Sequence, residues 1–183
     1  MSISSATGSI KIEGLASLVQ AITGQPNARR DITVGEAITY ANGEVAGKIN
    51  LAAYVYASDI AASSITDYDL RAITDSTGLQ GELEFANVSA IVVQNLRTTA
   101  MAWLKVGPKD GTSGFGILGS PTANVGLFNA GTDRVVVPPG GCVVLASTQL
   151  IPTNVTFKDL RIMASGVSGD TNSWKMLILG QSA

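Results

Sequence analysis

The sequence predicts an all-β fold, an antiparallel β-sandwich or jelly roll with a short N-terminal arm or helix. Three observations lead there. Short runs rich in Val, Ile, Leu and aromatic residues recur along the chain, each stopped by Gly, Pro, Asn or Asp. One of them, residues 88–95 (VSAIVVQN), is apolar at both alternating positions, which marks a central strand packed on two sides. The first thirty residues follow a different rhythm, in which Leu15, Leu18, Val19 and Ile22 fall at helical spacing.

Taken in order, the weakest strand signal is residues 31–40 (DITVGEAITY). Residues 48–57 (KINLAAYVYA) and 64–70 (SITDYDL) are stronger. Residues 100–106 (AMAWLKV) follow the central strand after four residues, a hairpin-length connection. Residues 133–137 (DRVVV) end at Pro138-Pro-Gly-Gly141, and residues 142–147 (CVVLAS) start again beyond that turn. Residues 159–164 (DLRIMA) and 173–179 (SWKMLIL) complete the series. In the last run Trp174, Met176 and Ile178 point one way, while Lys175, Leu177 and Leu179 point the other. Short strands at this spacing fit a sandwich or barrel.

The N-terminal piece alternates like a strand at residues 9–13 and then turns helical, with Gly24 placed to cap its end. It divides the chain into an arm or short helix over residues 1–30 and a β-sandwich domain over 31–183. The segment is either part of the core or an arm that docks on a neighbouring subunit. Leu15, Leu18, Val19 and Ile22 are its candidate interface residues. The glycine-rich stretch from Gly107 to Gly131 is a weaker contact candidate.

Composition narrows the function. Hydrophobic residues make up 45% of the chain and charged residues 14%, against about 25% charged in typical soluble domains. A surface built from Ala, Ser, Thr, Gly and Asn suits contact with other protein. The net charge is −2, and Arg29-Arg30 is the sole adjacent basic pair. Nucleic-acid binding needs a positive patch to displace phosphate counterions, so no direct nucleic-acid partner is expected. No apolar run approaches the ~18 residues of a membrane span, so no membrane contact is expected. The opening Met1-Ser-Ile-Ser-Ser-Ala-Thr7 has no basic stretch before an apolar core, and no secretory signal is expected.

The chemistry available is sparse. The chain has no histidine and one cysteine, Cys142. That removes the commonest general base, the Ser–His and Cys–His nucleophile pairs, imidazole metal ligands, zinc centres and any intrachain disulfide. Cys142 sits in an apolar run and reads as a buried structural thiol. Gly114-Phe-Gly116-Ile-Leu-Gly119 matches the dinucleotide pattern, but a loop precedes it and a poor helix former follows, so the glycines read as a tight loop. Asp67, Asp69 and Asp75 offer oxygen ligands for Ca²⁺, although solvated carboxylates explain them as well. Glu82 and Glu84 suggest a paired-carboxylate hydrolase, yet they share one strand face instead of facing each other across a cleft. Trp103 and Trp174 read as core or interface anchors. No catalytic residue, cofactor site or metal site is assigned, and the chain is not expected to be an enzyme.

Several stretches resemble head cement or decoration proteins of tailed, cyanophage-like bacteriophages. They are residues 67–78 (DYDLRAITDSTG) with 83–95 (LEFANVSAIVVQN), 103–108 (WLKVGP), 133–141 (DRVVVPPGG), and the closing 177–180 (LILG). Residues 9–24 (SIKIEGLASLVQAITG) have the same character. The resemblance implies a structural virion protein. It would be made in the host cytoplasm, sit on the capsid outer surface and bind the major capsid protein lattice, commonly as a homotrimer. Two alternatives stay open: the residues allow a carbohydrate- or host-surface-binding β-sandwich module, and the resemblance also allows another phage structural protein of the tail or head fibre.

Overall fold

The computed structural model describes residues 8–11, 14–20, 28–34, 37–46, 48–78, 81–99, 101–109, 134–153, 158–167 and 169–182, with the backbone alone for residues up to 40 and for 147–150. All regular structure among them is β. The N-terminal strands are β1 (Gly8–Lys11), β2 (Gly14–Gln20), β3 (Ala28–Val34), β4 (Ala37–Asn42) and β5 (Lys48–Ile49). They are followed by β6 (Leu51–Ala61), β7 (Ile65–Asp69), β8 (Ile73–Thr74), β9 (Glu82–Leu83) and β10 (Phe85–Asn95). The series ends with β11 (Leu104–Pro108), β12 (Val135–Val137), β13 (Cys142–Pro152), β14 (Asp159–Ala164) and β15 (Thr171–Ser182).

Two four-stranded antiparallel sheets form the sandwich. The first has the order β13-β10-β15-β6 and the second β12-β11-β14-β7. Strand periodicity decides what each face carries. On the first sheet, Leu145, Ile91, Ile178 and Ala53 form one cross-strand row, and Val143, Val93, Met176 and Val55 form the next. Both rows face Leu104, Val106, Val137, Leu160 and Ile162 of the second sheet in one apolar core. Removing this surface from water is the main force holding the sheets together, at about 25 cal/mol per Å². The alternation expected in residues 173–179 is present: Trp174, Met176 and Ile178 are fully buried in the core.

β10 is an interior strand of its sheet, as its two-sided apolar pattern requires. Its other face joins Ala90 to Leu179 and Ile49 in a second, smaller cluster, with Ala52, Val92, Val144, Ala146 and Leu177 packed around it. The register against β15 shifts near Phe85/Asn87 and Val88/Ala90. There Gly180 passes so close to β10 that a Cβ would overlap the main-chain oxygen of Asn87.

Three expectations need correction. Residues 88–95 and 100–106 do not form a hairpin, because β10 and β11 lie in different sheets. Buried Asn95 directs the crossing: its Nδ2 donates to the carbonyls of Ala102 (2.7 Å) and Val137 (3.3 Å), and its Oδ1 accepts from Arg97 N (3.1 Å). The helical spacing of Leu15, Leu18 and Val19 does not produce a helix. All three lie on β2, laddered with β3 in the register Leu15↔Thr33, Leu18↔Arg30 and Val19↔Arg29. A lone segment shorter than about 12–15 residues makes a marginal helix, whereas a ladder pairs its backbone groups at once. Ile22 lies outside the described residues. The run 31–40 is two strands: β3 pairs with β2, and β4 pairs with β1 and in parallel with β5.

The outer edge of β6 is closed at Tyr54 and Tyr56 by the side chains of Asp75 and Ser76 and the main chain of Ser76. Tyr54 N–H donates to Asp75 Oδ1 (2.9 Å), Tyr54 O accepts from Ser76 N (2.7 Å), and Tyr56 N–H donates to Ser76 Oγ (3.0 Å). Asp75 and Ser76 thus stand in for a neighbouring strand, one of the ways proteins keep an edge from pairing with another chain.

Candidate functional site

The second sheet presents a sharply divided outer face. Cross-strand pairing places Val136, Lys105, Met163 and Ile65 in one row across all four strands. Val136 is 47% exposed and Ile65 51%. Trp103, also exposed, lies just beyond the row, where its carbonyl accepts from Ser165 N (2.8 Å). Met101 is exposed on the same connection. Strands about 4.8 Å apart make such a row roughly 14 Å long. These side chains are outside because the period of two leaves no alternative once Leu104, Val137, Ile162 and Ala164 occupy the core.

Beside this apolar row lies an ionic ladder. Arg161 grips Asp67 through Nε–Oδ1 (2.7 Å) and Nη2–Oδ2 (2.9 Å). Lys109 Nζ reaches Asp67 (3.6 Å) and Asp159 (3.5 Å). Lys158 Nζ pairs with Asp69 and lies 3.7 Å from Asp159. Three carboxylates are therefore matched by three cations. The hydrogen bonds and charge of Arg161, aided by Lys109, hold the Asp67 carboxyl below its usual value against the opposing effect of burial. The bond to Asp69 raises the Lys158 ammonium above its usual value.

Asp67 and Asp69 do share one strand face, but cations already engage both, and Asp75 is spent on the edge of β6. Among the described residues no group of three His, Cys, Asp or Glu side chains is placed to hold a metal ion. Glu82 and Glu84 are exposed, and Arg71 Nε donates to Glu84 (2.9 Å) in a surface ion pair. Cys142 is exposed, contrary to the buried thiol expected. It shares the outer face of the first sheet with Val144 and Ala146, while Val143 and Leu145 take the inner face. An apolar run alone does not say which face its first residue joins. The two tryptophans separate: Trp174 is fully buried and Trp103 is a surface side chain.

The glycine-rich dinucleotide-like stretch and most of the Gly107–Gly131 contact candidate lie outside the described residues. Gly107 and Pro108 are buried on β11. The Val136–Met163–Ile65 row had no sequence signal of its own, since it exists only once the register of four strands is known.

A cleft of about 380 Å³ opens on the β6/β7 flank, lined by Val55, Tyr56, Asp67, Tyr68, Asp69, Ala72, Ile73, Thr74 and Ser76. Its lining mixes an exposed phenol, hydroxyls and carboxylates with the apolar Val55, Ala72 and Ile73. No protein-family model and no curated protein matches the chain.

Proposed function

We propose that this chain is a structural virion protein, most simply a capsid cement protein that binds the outer surface of the major capsid protein lattice and self-associates there. The observation that carries the proposal is the outer row Val136–Lys105–Met163–Ile65, in which Val136 and Ile65 are exposed apolar side chains, with exposed Trp103 beside it. Exposed apolar side chains gathered on one face among polar groups mark protein contact sites, and tryptophan is among the residues that most often anchor them. The neutral ionic ladder beside the row adds polar rim without repelling a partner of either sign. The resemblance in residues 67–78 with 83–95, 103–108, and 133–141 with the closing 177–180 supplies the kind of partner.

The physical benefit of such a protein is mass action. Anything that binds only the assembled shell stabilises it, and many copies on one lattice multiply a modest contact. The test is to mix purified protein with shells of the cognate capsid before and after expansion, then pellet the shells. Co-pelleting with shells supports the proposal, and absence from both pellets rejects it.

The β6/β7 cleft favours a second reading, a module that binds sugars or host-surface groups. Tyr56 beside carboxylates and hydroxyls has the chemistry to stack on and hydrogen-bond a polyol. Saccharide binding that Tyr56→Ala abolishes, with shell binding absent, selects it.

A further inference from the structure

We infer that β13 is a strand-addition edge whose partner is β13 of a second copy of this chain, in an antiparallel pair about a two-fold axis at Val144. The inference does not depend on the capsid proposal. β13 ends its sheet. Asn95 N donates to Gly141 O (2.9 Å), and the register runs unbroken from Gln94↔Cys142 to Ala90↔Ala146. Antiparallel ladders alternate bonded and non-bonded residues. Val143 and Leu145 therefore bond to β10, while the N–H and C=O groups of Cys142, Val144 and Ala146 point away from it. Among the described residues nothing pairs with these six groups.

The contrast with β6 is informative. That edge is plugged by Asp75 and Ser76. From Cys142 to Ala146 the β13 edge carries, among the described residues, neither the lysine, the proline nor the covering turn by which proteins blunt an open strand; Pro152 stands at the strand's far end. Its sequence from Cys142 to Ala146 is apolar on both faces, so its complement must be apolar on both faces too.

The strand is its own complement. With Val144 opposite Val144 of the partner subunit, Cys142 meets Ala146 of the partner subunit, and the reverse. All six outward groups on each strand are then paired, making six hydrogen bonds. On the outer face the apolar row Val144–Val92–Leu177 joins its symmetry mate. On the inner face Val143 meets Leu145 of the partner subunit. The two four-stranded sheets become one of eight strands. A self-complementary patch of this kind closes as a dimer and does not propagate.

Sedimentation velocity at micromolar concentration reads the result. The wild-type chain should run as a dimer. Val144→Pro removes the N–H on the axis, a group that points away from β10, and proline is tolerated on sheet edges. It should give a folded monomer by circular dichroism. Val144→Lys sets two ammonium groups against each other at the axis and should do the same if the proline variant fails to fold. Cys142→Ser/Val144→Cys should form a disulfide dimer on mild oxidation, since residues opposite in a bonded pair lie about 5.5 Å apart at Cα. A wild-type monomer or trimer overturns the inference. So does a dimer that survives in a folded Val144 variant, or a Val144→Cys chain that does not cross-link.

Discussion

The indole Nε1–H of Trp174 donates to the phenol oxygen of Tyr68 at 3.0 Å. Trp174 belongs to β15 and Tyr68 to β7, so this bond crosses the core and ties one sheet to the other through side chains alone. Trp174 is fully buried. Removing the phenol oxygen in Tyr68→Phe leaves a buried donor unmatched, which costs about 1–3 kcal/mol. Urea unfolding should show that loss with little change in slope. An unchanged midpoint would mean the indole N–H finds another partner.

Asp75 closes the β6 edge. Asp75→Ala removes the acceptor for Tyr54 N–H from a nearly buried site and should destabilise by about 1–3 kcal/mol. Asp75→Asn keeps an oxygen there and should lose less. Hydrogen exchange is the local readout. The Tyr54 amide should exchange faster in Asp75→Ala, with amides in the β10–β15 ladder affected only by the global loss.

Stability should depend on pH at both extremes. Asp67 has a depressed pKa, chiefly from its bond to Arg161. Its contribution is present above the ordinary value of 3.8 and is lost as pH falls through the lower folded value. Tyr68 is raised by burial, against the opposing bond from Trp174, and Lys158 by its bond to Asp69. Their contributions are present below the ordinary values of 10.0 and 10.5 and disappear as pH rises through the higher folded ones. Thermal melts should therefore show a plateau between these limbs. Asp67→Asn should flatten part of the acid limb, and Tyr68→Phe part of the alkaline limb. The ion pairs are solvent-accessible, so each should contribute little at neutral pH.

Gly180→Ala should be disruptive for a reason unrelated to backbone freedom. The added Cβ would meet Asn87 O, Phe85 Cδ1 (2.8 Å) and Val88 Cα (3.1 Å). Two of the three are backbone atoms of β10 and cannot rotate aside. Overpacking of this kind costs about 1–3 kcal/mol or more. A melting temperature equal to wild type would show that the β10 bulge moves to admit a methyl group.

Much of the sandwich was legible because strand burial leaves a period of two. β14 occupies Asp159–Ala164, the residues its pattern marks, and the alternation in residues 173–179 correctly divides core from outer face. What was not legible depends on contacts distant in sequence. Leu15, Leu18 and Val19 match a helical period and still form a strand, because β3 supplies a ladder partner. Asn95 sends the chain to the other sheet by binding carbonyls at Ala102 and Val137. The exposed position of Cys142 follows from its register opposite Gln94. Asp67, Asp69 and Asp75 look alike in sequence, yet two belong to an ionic ladder and one to a strand edge. The Val136–Met163–Ile65 row combines three strands no local pattern connects.

The central claim is that this surface binds a capsid lattice. Its most direct measurement is co-pelleting with expanded cognate shells, comparing wild type with Ile65→Lys and Trp103→Ala. Both side chains are exposed, so both variants should fold with near-native stability. The proposal predicts saturable binding of wild type and at least about tenfold weaker binding of each variant, a loss of about 1.4 kcal/mol. Shells that leave wild type entirely in the supernatant would contradict it.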